Sequence, residues 1–152
     1  MYDYTISKLP YNHSRFHLFK MGICGKKPFP NLKDLDTLIQ ENKHKSEKNM
    51  ILKLDVGHWE WPTINDLNEK TLNQFKYILI EYHFYNGDNR ESKIYYNVLK
   101  KKAKTHQSFY AHCNGDRSKI IKFKNNRICH IIEISYIIGK IIFLHMMMLY
   151  IL

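Results

Sequence analysis

Two apolar runs, each stopping on a carboxylate, limit what this 152-residue chain can become. The first is Met50, Ile51, Leu52, Lys53 and Leu54, and it ends on Asp55. The second is Phe75, Lys76, Tyr77, Ile78, Leu79 and Ile80, and it ends on Glu81, Tyr82 and His83. Short runs rich in branched and aromatic residues fit strands. Between them, residues 62–73 place Ile64, Leu67 and Leu72 as the apolar positions of a short helix or turn region. Strand, helix, strand predicts a βαβ unit with a parallel pair. Open α/β sheets build ligand sites at the carboxyl ends of such strands. Asp55 and Glu81 are therefore expected side by side at one rim. Glu81 and His83 alternate about Tyr82, so they share a face.

The length gives room for one domain. Lys and Arg number 24 against 14 Asp and Glu, a net charge of +10 that would suit an anionic partner. The charges are dispersed, however. Only Lys100, Lys101, Lys102 and Lys104, and the stretch 119–124, form clusters. A solvated lysine surface explains this better than a nucleic-acid interface. The three cysteines, Cys24, Cys113 and Cys129, have no CxxC spacing and imply no disulfide framework. His112, Cys113, Cys129 and His130 are zinc-ligand types. Neighbours on a strand point to opposite faces, and zinc ligands are usually about two to four residues apart, so no metal is expected there. The N-terminus lacks the basic and apolar regions of a secretory signal.

Elsewhere, alternation over 15–23 predicts a strand, and the prolines of 26–31 a loop. Leu32, Leu35, Leu38 and Ile39 recur at helical spacing, with Asn31 as cap and Asp34 and Asp36 at the positive end. Residues 41–49 form a polar loop and 86–89 a turn. A helix runs through Lys102, a short strand covers 108–112, and a turn follows at 114–116. The last strand candidate spans 128–138, with Asn125 and Asn126 as its turn. Residues 131–152 are almost all apolar apart from Glu133, Lys140 and His145. That approaches the roughly 20 residues of a membrane span, but a charge at the centre of a span costs about 2.5 to 3.5 kcal/mol. The alternatives are a sheet strand to about Ile138 followed by a buried helix, or a terminus foreign to the domain.

The run Leu52-Lys53-Leu54-Asp55-Val56-Gly57-His58-Trp59-Glu60-Trp61 resembles the LK(I/M)D(V/I)EGxEW signature of FkbM-type methyltransferase-like domains. Leu35-Asp36-Thr37-Leu38-Ile39 is similar to that family's LDTLI helix, and residues 78–84 to its xLxIExHF strand. Tyr2-Asp3 resembles its (Y/F)DP turn. The order and spacing agree over roughly residues 2–137. The resemblance implies an α/β, partial Rossmann-like methyltransferase sheet over 1–138, lacking the first strand and its Gly-rich loop, with an apolar tail over 139–152.

It also implies methyl transfer from S-adenosylmethionine to a nucleophile. Asp3 would bind the cofactor's ribose hydroxyls. Asp55 would meet the cofactor's reactive end or the acceptor. His83, beside Glu81, would take the acceptor's proton. Glu60 matches a family position, although it could equally be a solvated helix residue, and Asp55 could simply cap the next helix. Trp59 and Trp61 fit packing anchors better than an adenine shelf. The chain departs from the family by carrying Gly57-His58 in place of Glu-Gly. A histidine Cβ resists the close backbone approach that the family's glycine permits. With no Gly-rich loop, the alternative is an inactive remnant that binds a partner or sits at a membrane through 131–152.

Overall fold

A computed structural model describes residues 1–26, 29–84, 89–114, 120–123 and 126–139. Two short strands, Gly22–Cys24 (β1) and Leu32–Asp34 (β2), pair in parallel and lead into helix Leu35–Glu41 (α1). Strand Met50–Leu54 (β3) comes next, then helices Glu60–Asp66 (α2) and Glu69–Leu72 (α3), then strand Phe75–His83 (β4). Helix Asn89–Ala103 (α4), strand His106–Cys113 (β5), hairpin strands Ile120–Phe123 (β6) and Asn126–Cys129 (β7), and strand Ile131–Ile138 (β8) complete the order.

The predicted βαβ unit is present. β3 and β4 are parallel, with Leu54 opposite Ile80, and α2 and α3 lie between them in the chain. The main sheet has four strands in the order β3-β4-β8-β5, and β8 runs antiparallel to both its neighbours. An antiparallel strand added to a parallel pair is a common form of α/β sheet. One face carries Leu52, Leu54, Ile78, Ile80, Tyr82 and Tyr136, all buried, with Trp61 and Ile64 of α2 and Tyr95 and Val98 of α4 in the same core. The other face is mixed, with Lys53, Glu81, Glu133 and Ser135 alongside Ile51, Tyr77, Leu79 and Ile137. Lys53 on β3 reaches across β4 to Glu133 on β8 at 2.6 Å.

Several expectations are corrected. Of the strand predicted over 15–23, only its end forms, as part of β1, because residues 11–17 are exposed and have no neighbouring strand. Asn31 does not cap α1. It sits at φ 61°, and Asp34 caps instead, its Oδ1 accepting from the Thr37 backbone N–H at 3.0 Å. Leu32 belongs to β2 rather than to the helix. The strand predicted over 128–138 is two strands, broken at His130. In the apolar tail, the alternative of a sheet strand to about Ile138 is the one that forms. Ile131–Ile138 is an inner strand, paired on both edges, so its backbone belongs to the sheet. Among the described residues no helix is long and apolar enough to cross a membrane. The remainder of the tail, 140–152, lies outside the described residues, as do most of the turns predicted at 86–89 and 114–116.

Cysteine spacing implied no disulfide framework, yet Cys113 and Cys129 are joined, with Cα atoms 5.8 Å apart. The reason is tertiary. Pairing of β5 with β8 brings the end of β5 back to residues that immediately follow β7. Both sulfurs are taken up in that bond, so the Cys113 and Cys129 pair offers no thiolate to a metal.

Lys102 is 1% exposed on the helix side of the sheet. Its Nζ stands 2.8 Å from the Tyr136 ring centroid and 3.4 Å from the Tyr82 hydroxyl. Burial holds its pKa well below the ordinary lysine value. The folded chain then binds fewer protons at Lys102 than the unfolded chain, so this residue makes stability rise with pH up to about 10. Above that the trend reverses. Burial raises Tyr136 to about 12 and raises Tyr82 well above its usual value, so the unfolded phenols ionise first. Lys102→Met is expected to stabilise the neutral-pH protein by about 1 to 3 kcal/mol, because desolvation of the ammonium outweighs its contacts with Tyr136 and Tyr82. It should also flatten the rise in urea midpoint between neutral pH and the lysine range. A variant that is less stable than the parent at neutral pH would contradict this account of Lys102.

Candidate functional site

The site begins where β3 stops. Asp55 leaves the strand exposed at its carboxyl end, and the chain turns through Gly57 at φ 52° and His58 at φ 76°. Both lie in the left-handed region. That conformation costs an L-residue such as His58 roughly 1 to 2 kcal/mol. The histidine therefore adopts a backbone that glycine would take freely. Its ring stands edge-on to His83, with centroids 5.1 Å apart. Burial lowers the His58 pKa first, and the His83 and His130 rings lower it further.

The turn delivers Trp59 and then α2. Glu60, the first residue of α2, is fully buried and not solvated. Its Oε1 accepts from the His83 backbone N–H at 2.7 Å and lies 2.9 Å from His83 Nδ1. Burial raises the Glu60 pKa, and the His83 contacts oppose that rise. Among the described residues Glu60 Oε2 has no hydrogen-bond partner. Trp61 fixes the same segment from the other side, its Nε1–H donating to the His83 carbonyl at 2.7 Å. It is 2% exposed and packs on Tyr82, Phe84 and Tyr95, which makes it the predicted packing anchor. Trp59 meets Phe29 edge-on at 5.1 Å.

β4 supplies the rest. Glu81 and His83 share a face, with Glu81 Oε1 3.4 Å from His83 Nε2. Glu81 Oε2 accepts from the Asn114 side-chain amide. Parallel pairing in the Leu54–Ile80 register sets Asp55 beside Glu81. One ligand atom from each of Asp55, Glu81 and His83 falls within 4.8 Å of the others. The three residues expected at one rim are therefore together.

Asp3 stands apart. It is partly exposed near the N-terminus, where its Oδ1 accepts from the Thr5 backbone N–H at 2.7 Å, the Thr5 hydroxyl at 2.6 Å and the Ile6 N–H at 3.3 Å. The Thr5 hydroxyl is the main reason its pKa is lowered. No described contact links Asp3 to Asp55, Glu81 or His83.

Sequence reasoning left Glu60 undecided between a site residue and a solvated one. The available signal was its place between two tryptophans, which predicts an apolar surrounding for the carboxylate. Asn114 carried no signal, because only strand pairing brings it to Glu81.

Fold and rim together define a mixed α/β protein with a carboxylate–histidine cluster at the carboxyl ends of two parallel strands. No family model, curated protein or solved structure matches the chain.

Proposed function

We propose that the chain is a methyltransferase-like domain whose rim receives the methyl acceptor and whose described residues do not form the cofactor half. The observation that carries this reading is the meeting of Asp55, Glu81 and His83 at the carboxyl ends of β3 and β4. With His83 as a neutral imidazole whose Nδ1–H donates a hydrogen bond to Glu60, the Nε2 lone pair would face the rim. There it can take a proton from a hydroxyl or amine, while the two carboxylates orient that group.

S-Adenosylmethionine fits the described residues poorly. Asp3, the expected ribose ligand, already uses Oδ1 within its own turn. Gly25 follows β1, but a Cβ there would meet Asp66 and Pro62, so protein rather than an open cradle faces it. The full transferase, expected from the resemblance, would need those contacts from elsewhere.

Titration with S-adenosylhomocysteine tests the assignment. At millimolar concentration the chain by itself is expected to give no calorimetric heat and no thermal shift. A saturable heat that Asp3→Asn abolishes would overturn this division of the site and make the chain a complete cofactor binder.

A further inference from the structure

We propose that Asp55, Glu81 and His83 form a divalent-cation site. The donor atoms lie within 4.8 Å of one another and come from the ends of two hydrogen-bonded strands, so the backbone holds the set in place. An ion with ligand distances of about 2.0 to 2.2 Å needs only small side-chain rotations to draw them in.

The histidine is arranged as a metal-ligating histidine usually is. Nδ1 faces a carboxylate, here the fully buried Glu60 at 2.9 Å, which fixes ring and tautomer and presents Nε2 to the ion. Nε2 then lies 3.4 Å from Glu81 Oε1, at the same rim as Asp55.

Charge distribution favours the cation. The chain carries 24 Lys and Arg against 14 Asp and Glu. Even so, among the described residues no lysine or arginine forms an ion pair with Asp55, Glu60 or Glu81. Lys53, two residues before Asp55 on the same strand, is held by Glu133 instead. Asp55 is exposed and the His83 and Glu81 side chains are 14% and 13% exposed, so the rim is open to an ion that keeps water or ligand oxygens in its other positions. Two carboxylates and one imidazole suit a first-row ion such as Mn2+ or Zn2+ better than Mg2+, which prefers oxygen alone. This inference deepens the acceptor assignment: the ion would hold an acceptor oxygen and lower its pKa, the proton passing to water at the open rim, with His83 serving as a ligand rather than as the base.

The full chain is titrated with Mn2+ and free ion is read by electron paramagnetic resonance, with no nucleotide present. Binding of one ion per chain at micromolar concentration is expected. Glu81→Gln should weaken it at least tenfold, and Glu60→Gln by roughly 10- to 100-fold, the usual effect of losing the carboxylate behind a ligand histidine. Glu69→Gln, which removes an exposed carboxylate paired with Lys104, should leave binding unchanged. Circular dichroism confirms that each variant is folded. No stoichiometric binding to the folded parent, or equal losses in Glu81→Gln and Glu69→Gln, would overturn the proposal. So would nitrogen-15 shifts showing both His83 nitrogens protonated at neutral pH in the presence of Mn2+, since the charge at the rim would then be an imidazolium. The readout does not involve S-adenosylhomocysteine, so this site can fail while the methyltransferase-like reading stands, and the reverse.

Discussion

Trp61→Ala is expected to destabilise the protein by about 3 to 5 kcal/mol, the cost of deleting a buried aromatic side chain. Trp61 is 2% exposed, with ring centroids 4.2 Å from both Tyr82 and Tyr95 and 5.0 Å from Phe84. It is the point at which α2, β4 and α4 meet, so no single neighbour can move in to fill the space it leaves. A domain of this size has a typical stability of about 5 to 15 kcal/mol, so the loss could take most of it. The measurement is the urea midpoint, with the slope unchanged if unfolding remains two-state. Trp61→Phe separates the two roles of the side chain. It keeps most of the packing but leaves the His83 carbonyl without its indole donor, for an expected loss of about 1 to 3 kcal/mol. An alanine variant within about 1 kcal/mol of the parent would show that the aromatic cluster is not the anchor of this core, since packed sites lose more than that.

Reducing the Cys113–Cys129 bond, or replacing Cys113 with serine, is expected to cost about 3 kcal/mol. The two cysteines are 16 residues apart in sequence, and a loop of that length carries the corresponding closure entropy in the unfolded chain. The bond ties the end of β5 to the end of the β6–β7 hairpin, immediately before β8. It therefore also restrains Asn114, the residue after Cys113, which donates to Glu81. Urea midpoints with and without a thiol reductant should differ in the parent and coincide in Cys113→Ser. Alkylation of the unfolded, unreduced chain should label only Cys24, which lies outside the disulfide, and all three cysteines after reduction. Coincident midpoints in the parent would remove the bond from any account of stability.

Both predictions concern interactions that strand arithmetic could not supply. The organising unit was legible. The run from Met50 to Leu54 and the run from Phe75 to His83 form strands at the expected places, parallel as the intervening helical segment required. A strand's alternation is local, and so is the strand-end position of a carboxylate. Asp55, Glu81 and His83 could therefore be placed at one rim from the chain alone. The cap of α1 is not fixed by residue type, because Asn31 and Asp34 are both good capping types, and only the β1–β2 pairing, which keeps Leu32 extended, decides between them.

What the sequence determined by itself was periodicity: which segments are strands or helices, and which side chains share a face. Those properties follow from backbone geometry over a few residues. Tertiary structure decided the rest. It buried Glu60 against His83, buried Lys102 between two tyrosines, joined Cys113 to Cys129 and set Ile131–Ile138 between β4 and β5. Each of these depends on which surfaces meet after the chain has folded back on itself. Desolvation and pairing between residues distant in sequence are set by that meeting, and a local pattern such as the two tryptophans flanking Glu60 gives an apolar surrounding without naming the partner.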